Sequence, residues 1–302
     1  MVWLTPQEAE HPARRLRAFL AEPGALTVPG VFNGLSALLA QRAGASAAYL
    51  SGAALSASMG IPDIGLVTLD ELVRTARQIV RVTGLPLIVD ADTGFGSALN
   101  VMRTVRELED AGAAAVQIED QVDPKRCGHL DGKQVTSVER MSEKVTAARA
   151  ARTDLVVIAR TDARATHGFD EAVARGRAYL EAGADVIFPE ALETVEEFRD
   201  YAAAVDAPLL ANMTEFGRSP ALTAIELGEL GYRLIIFPVS AARVAAFHVG
   251  AFYGDLLEQG SAQPWLDRMQ TRDELYDLLD YDAYADLDAG AARPGGDEED
   301  AT

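Results

Sequence analysis

The sequence predicts an α/β fold: a parallel (β/α)8 barrel of TIM type, followed by extra C-terminal helices. Three observations predict it. Short apolar runs alternate with longer stretches of helical period from about residue 25 to residue 259. The units number about eight, which is what closes a parallel barrel. Several helical stretches also end in Ala-Gly-Ala just before the next apolar run (43–45, 111–113, 182–184). Glycine there suits a helix C-cap.

The elements follow in order. Residues 1 to about 23 read as an amphipathic arm of helical pattern, rich in arginine (Arg14, Arg15, Arg17). Strands are expected at ALTV (25–28), AAYL (47–50), LPLIV (85–89), AAVQI (114–118), LVVIA (155–159), DVIF (185–188), PLLA (208–211) and RLIIF (233–237). These are continuous apolar runs, as strands buried on both faces require. Between them lie helical stretches at 34–43, 69–83, 98–111, 138–152, 169–182, 195–205 and 220–230, and 241–259 follows the last strand. One or two helices are expected beyond residue 259. No internal linker is evident, so residues 1–288 are expected to form one domain. The tail 289–302 (AGAARPGGDEEDAT) is polar, Gly-rich and acidic, and is expected to be disordered.

The chain has 302 residues, 49% of them hydrophobic, which is enough for a large core and excludes a disordered protein. No apolar run approaches the roughly 20 residues of a membrane span. The N-terminal residues lack an apolar signal core, so a cytoplasmic protein is expected. The net charge of −19 argues against nucleic acid, which needs a basic face. A single cysteine, Cys127, makes neither an internal disulfide nor a zinc site alone. Only three bases are lysine (Lys125, Lys133, Lys144), and two of them fall in one stretch, VQIEDQVDPKRCGHLDGK (116–133). A basic loop around the only thiol stands out in an acidic chain.

In a barrel of this kind the chemistry lies at the C-terminal strand ends. Those positions hold Ser51-Gly52-Ala53, Asp90 and Asp92, Glu119 and Asp120, Arg160 and Asp162, Glu190, Asn212 with Thr214 and Glu215, and Ser240 with Arg243. Residues two apart in a strand point to one side. Asp90 and Asp92 would therefore repel unless a cation lay between them. Carboxylate and water ligands suit Mg²⁺, with Mn²⁺ as an alternative, and Glu119 could join directly or through water. Asp92 could instead cap the turn that follows it. Lys125, Arg126 and His129 flank Cys127, and neighbouring cations favour a thiolate, so a proton donor or nucleophile is expected. Arg160, Arg243 and Arg272 could each bind a carboxylate through two hydrogen bonds.

These motifs resemble a known family. KRCGH (125–129) is the signature of the isocitrate lyase and methylisocitrate lyase group, in the superfamily that also contains phosphoenolpyruvate mutase. The similarity runs from about residue 29 to 281 and includes VDADTGFG (89–96), ARTDA (159–163), ANMTEFG (211–217), FPVSAAR (237–243) and MQTRDELY (269–276). Phe188 and Pro238 stand where the methylisocitrate branch carries Phe and Pro and the isocitrate branch tends to carry Trp and Thr. Ile236 stands where Leu is expected. The three would form a pocket for one methyl. Two departures are Ala53, where many relatives have Gly, and Leu130-Asp131-Gly132, where some have Arg-Pro-Asn.

The resemblance implies Mg²⁺-dependent cleavage of 2-methylisocitrate to pyruvate and succinate, in the methylcitrate cycle of propionate catabolism. It implies metal ligands Asp90 and Asp92 with Glu119, and Cys127 as the acid, tuned by Lys125, Arg126 and His129. The base stays open among Glu190, Asp63 and Tyr49. Ser51, Gly52, Ala53, Cys127, Gly128, Arg160, Glu190, Asn212, Thr214, Arg243 and Arg272 would bind the tricarboxylate substrate. It further implies a homotetramer that exchanges a helix, around 262–279, between subunits. The alternatives are isocitrate cleavage to glyoxylate and succinate, a dialkylmalate- or oxaloacetate-acting relative, a mutase or hydrolase of the superfamily, and a non-catalytic binding protein.

Overall fold

The computed structural model describes residues 2–5, 10–130 and 132–291. They fall into two compact units, one within residues 10–247 and the other made of residues 2–5 with 248–291.

The first unit is built on eight strands: β1 (Leu26–Val31), β2 (Ala48–Leu50), β3 (Leu87–Asp90), β4 (Ala115–Glu119), β5 (Val156–Thr161), β6 (Val186–Pro189), β7 (Leu209–Asn212) and β8 (Tyr232–Phe237). They are parallel, follow one another in chain order, and close where β8 pairs with β1. This is the expected (β/α)8 barrel. Helices cover its outside: α1 (Pro12–Ala21), α2 (Gly34–Arg42), α3 (Gly52–Ser58), α4 (Leu69–Thr83), α5 (Ala98–Asp110), α6 (Val138–Ala151), α7 (Ala163–His167), α8 (Phe169–Ala182), α9 (Val195–Ala204), α10 (Ala224–Glu229) and the start of α11 (Ser240–Gln259).

Local chemistry sets these boundaries. α4 begins at Thr68, which exchanges hydrogen bonds with Glu71 in a capping box, and ends at Gly84 with φ 63°. Its buried face is Leu72, Val73, Ala76 and Ile79. The stretch expected to be helical from 220 starts only at Ala224, because Thr223 and Glu226 form another capping box. α3 and α7 were not expected. They are only 7 and 5 residues long, too short for a helical period to show.

Alternate strand residues divide the core in two. Val89, Val116, Val157 and Ile187 face the helices, while Tyr49, Ile88, Ile158, Phe188, Leu234 and Ile236 fill the barrel. Leu16 of α1 joins the inner cluster. Arg17 fastens α1 by donating to the Leu155 carbonyl (3.2 Å) and pairing with Asp185 (3.1 Å). Gly30 on β1 lets the last strand's exit pass, since a Cβ there would stand 2.2 Å from the Pro238 carbonyl oxygen.

The second unit contains the rest of α11, a 3-10 turn (Gln263–Arg268), α12 (Arg272–Leu278) and α13 (Tyr281–Ala291). Trp265 packs edge-on against Phe252 (5.7 Å) and donates its indole N–H to Asp255 (2.7 Å). The single helix expected at 262–279 is two pieces, broken where Thr271 caps α12. α13 runs through Ala291, so the first three residues of the acidic tail are helical, and 292–302 lie outside the described residues. α11 buries none of its residues; Tyr253 and Leu257 are exposed. Among the described residues no helix is long and apolar enough to cross a membrane.

Leu16→Ala should leave a void at the inner core and lower unfolding free energy by about 2–5 kcal/mol. Urea unfolding checks this; a change under about 1 kcal/mol would mean that the arm is not part of the core.

Candidate active site

The strand ends expected to carry chemistry converge on one cavity. β3 stops at Asp90, and Asp92 follows in a left-handed conformation (φ 48°). The two carboxylates therefore meet across a turn rather than along a continuing strand. Gly52 donates its N–H to Asp90 Oδ2 (3.2 Å). A Cβ on Gly52 would lie 3.2 Å from that oxygen and 3.3 Å from Asp92 Oδ1, so glycine leaves the two carboxylates room to face each other. Burial, then the Asp90 charge, pushes the Asp92 carboxyl up to about 7 against the pull of Lys125. The Lys125 ammonium sits 2.6 Å from Asp92 Oδ1 and also pairs with Asp63. Burial works against its charge, but Asp92, then Asp90, Glu119 and Asp63, outweigh burial and hold the proton on.

The donor set suits a hard cation in part. Two carboxylates converge, and neither Glu119 oxygen receives a well-directed hydrogen bond although Arg160 stands 3.0 Å away. Burial pushes the Glu119 carboxyl well up, against the pull of that arginine. Among the described residues no group of three Asp, Glu, His or Cys side chains closes a ready-made site. Two carboxylates with the remaining positions left to water is the arrangement that Mg²⁺ accepts.

Arg160, at the end of β5, is the centre of the rim. Its guanidinium contacts Glu119 Oε2 (3.0 Å), Asp162 Oδ2 (3.0 Å) and Glu190 Oε2 (3.5 Å), and lies over the Phe188 ring at 5.4 Å. Burial would push the Glu190 carboxyl up. Arg160, then the hydrogen bond from His129, and the Lys133 charge outweigh it and hold Glu190 down at about 2. Asn212 donates its amide to Glu190 Oε2 (3.2 Å). Tyr49 donates to Gln117, and burial, then the Asp90 charge, keeps its phenol protonated.

The loop after β4 closes over this floor. Cys127 is half-buried and lines the cavity with Lys125, Arg126, Gly128 and His129. The cations that flank the thiol in sequence turn to other partners. Lys125 holds Asp63 and Asp92, and His129 Nε2 meets Glu190 Oε1 at 3.0 Å. The Arg218 N–H donates to His129 Nδ1 (3.0 Å), so Nε2 carries the imidazole proton toward Glu190. A Cβ on Gly128 would stand 2.5 Å from both Arg160 and Glu190, so only glycine lets the loop come down this far.

Phe188, Ile236 and Pro238 line one apolar wall of the same cavity, and Ser51, Ala53, Asp63, Asp90, Asn212 and Thr214 line the rest. The free space is about 50 Å³, room for a few waters only. Arg243 is not in this lining. It donates to Glu215 Oε2 (2.9 Å) and the Glu215 carbonyl (2.9 Å), while Ser240 holds the other Glu215 oxygen. Arg272 opens α12 in the second unit and is exposed. Sequence reasoning gave no role to Lys133, Asp162 or Arg218. Lys133 carried a signal as one of three lysines, and Asp162 as a strand-end acid.

A family model described as phosphoenolpyruvate phosphomutase matches residues 16–256. The chain is 50% identical to the 2-methylisocitrate lyase of Aeropyrum pernix, over 97% of this chain and 95% of that one. It is 48% identical to the 2-methylisocitrate lyase of Bacillus subtilis, over 97% and 98%. Among solved structures it resembles 2,3-dimethylmalate lyase, a PEP mutase/isocitrate lyase superfamily member (TM-score 0.89, 38% identity, 96% and 98% covered). It also resembles phosphonopyruvate hydrolase in complex with oxalate and Mg²⁺ (TM-score 0.85, 32% identity, 93% and 99% covered).

Because the Glu190 carboxyl is held below its ordinary 4.5, its charge stabilises the fold fully above that pH and stops doing so as pH falls through about 2. The stability difference between wild type and Glu190→Gln should be level from neutral pH to about 4.5. Below that it should move against the wild type by up to ~1.4 kcal/mol per pH unit. Urea unfolding of both proteins across this range checks it; a difference that already moves between pH 7 and 5 contradicts the pairing.

Proposed function

The chain belongs to the phosphoenolpyruvate phosphomutase family, and from that premise we propose that it is a lyase that cleaves 2-methylisocitrate to pyruvate and succinate. The observation that carries the reading is one cavity in which a thiol on a closing loop, an arginine and an apolar wall face one another. A tricarboxylate needs the arginine, its extra methyl needs the wall, and a carbanion needs the thiol.

Cleavage breaks the bond between the carbinol carbon and the neighbouring carbon that bears a carboxylate. The hydroxyl proton leaves, the carbinol carbon becomes the ketone of pyruvate, and the bonding electrons pass to the succinate half. Cys127 gives its S–H proton to that carbanion as general acid. The base is a carboxylate, Glu190 or Asp63, since Tyr49 is held protonated. Arg160 and Asn212 hold substrate carboxylates, and Thr214, Ser51, Gly52, Ala53 and Gly128 shape the remaining contacts. Arg243 reaches the substrate by exchanging Glu215 for a substrate carboxylate. Phe188, Ile236 and Pro238 take the methyl.

Asp90 and Asp92 would hold Mg²⁺, with Glu119 reaching it through water. Bound there, the ion would supply Lewis-acid stabilisation of charge on the substrate oxygens. Lys125, Arg126 and His129 act by holding the loop and its acids in place. We also propose a cytoplasmic homotetramer. The exposed apolar face of α11 supports a neighbouring copy as its cover, with Arg272 contributed by the exchanged helices.

The deciding experiment is a substrate panel with Mg²⁺ assayed for pyruvate and glyoxylate. The expected result is pyruvate from 2-methylisocitrate with higher kcat/KM than glyoxylate from isocitrate. One methyl is worth only roughly 10–200-fold, so weak isocitrate cleavage fits as well. Turnover of a dialkylmalate or oxaloacetate alone would overturn the substrate, and no turnover at all would favour a binding protein. Cys127→Ser should bind substrate normally and lose roughly 10²–10⁴-fold in kcat; near-normal turnover removes the thiol from the mechanism.

A further inference from the structure

We propose that Lys133 and Asp162 are a positioning pair that ties closure of the Cys127 loop to the orientation of Arg160. The proposal deepens the lyase reading and takes its Cys127 and Arg160 roles from it. Neither Lys133 nor Asp162 lines the cavity.

The Asp162 side chain is fully buried and carries two cations at once. Arg160 donates to it from Nε (3.0 Å, Oδ2) and Nη2 (3.1 Å, Oδ1). Lys133 donates to the same Oδ1 at 2.9 Å, and its ammonium also holds the Gly128 carbonyl, next to Cys127. One carboxylate therefore anchors both the arginine of the barrel floor and the return limb of the loop. A buried ammonium without a partner is costly, so Lys133 is held here by its bonds to Asp162 and to the loop's own Gly128 carbonyl.

Asp162 itself is pinned from behind. Its N–H donates to Asp120 Oδ1 (2.9 Å), and Asp120 Oδ2 accepts from Thr161 (2.8 Å), Tyr179 (2.8 Å) and Arg175 (3.1 Å). Asp120, singled out in the sequence as a strand-end acid, thus faces the wall, and holds the anchor rather than substrate. The two limbs of the loop are tied together at its base, where Gln121 pairs with Val135 and the Val122 N–H donates to the Gln134 carbonyl (2.8 Å). With about 50 Å³ of free space beneath it, the loop must lift for any tricarboxylate to enter. Lifting takes Lys133 off Asp162 and leaves Arg160 the only cation there. Closing returns the ammonium, sets the carboxylate, and fixes Arg160 as the thiol arrives.

The chain's single cysteine reports this directly. Alkylation of Cys127 by iodoacetamide is followed across pH, so that the plateau rate reads access and the midpoint reads the thiol's own titration. Lys133→Met should raise the plateau by about tenfold or more, the factor expected when a hydrogen bond to a charged group is lost. Lys133→Arg should restore most of the protection. With 2-methylisocitrate, Lys133→Met should lose kcat with little change in KM, whereas Asp162→Asn should raise KM too, because Arg160 loses its anchor. Lys133→Gln serves the alkylation test if the Met variant does not fold. Alkylation of the Lys133 variants at the wild-type rate overturns the pair, whatever the substrate. Faster alkylation in a chain whose wild type proves inert on 2-methylisocitrate supports the pair and counts against the substrate instead.

Discussion

One guanidinium organises the rim of the barrel. Arg160 lies among Glu119, Asp162 and Glu190, three carboxylates that are almost completely buried. The three carboxylates offset the cost of burying the guanidinium, and Arg160 in turn holds Glu190 down and works against the burial that pushes Glu119 up. The cluster joins the ends of β4, β5 and the loop after β6, so it exists only when the barrel closes in register. Phe188, which belongs to the apolar wall, also carries the arginine on its ring face. The apolar wall and the placement of the guanidinium thereby share one residue.

The three lysines show how an acidic chain uses positive charge. The surface bases are arginines, while Lys125 and Lys133 are almost fully buried. Lys125 neutralises the Asp63–Asp92 side, and Lys133 the Asp162 side. Lys144 donates to the Thr93 carbonyl (2.7 Å), one residue beyond Asp92. Each is a compact point charge set on a rim that would otherwise repel itself.

The order and number of strands were legible because strands buried on both faces leave unbroken apolar runs, and all eight appear within about three residues of where the runs place them. The turn at Asp92 was not legible: strand alternation put it beside Asp90, whereas a left-handed residue does so. The basic company of Cys127 was visible, but which partner each cation chooses is a long-range matter. Lys125 reaches Asp63 and His129 reaches Glu190, across 62 and 61 residues of chain. For the same reason Arg243 read as free to bind substrate, although Glu215 already occupies it. Lys133 and Asp162 stayed without a role because Lys133 and Arg160 share the one buried Asp162 carboxylate, which no spacing reveals.

The central claim is that a thiol on the closed loop protonates one face of a succinate carbanion. Cleavage of 2-methylisocitrate in D₂O tests it most directly, with the products read by NMR and mass spectrometry. The account predicts pyruvate without carbon-bound deuterium and succinate carrying one deuterium in a single configuration, because the exchanged Cys127 thiol delivers it from one side. Succinate of mixed configuration would mean protonation by open solvent, and absence of pyruvate would mean a different reaction.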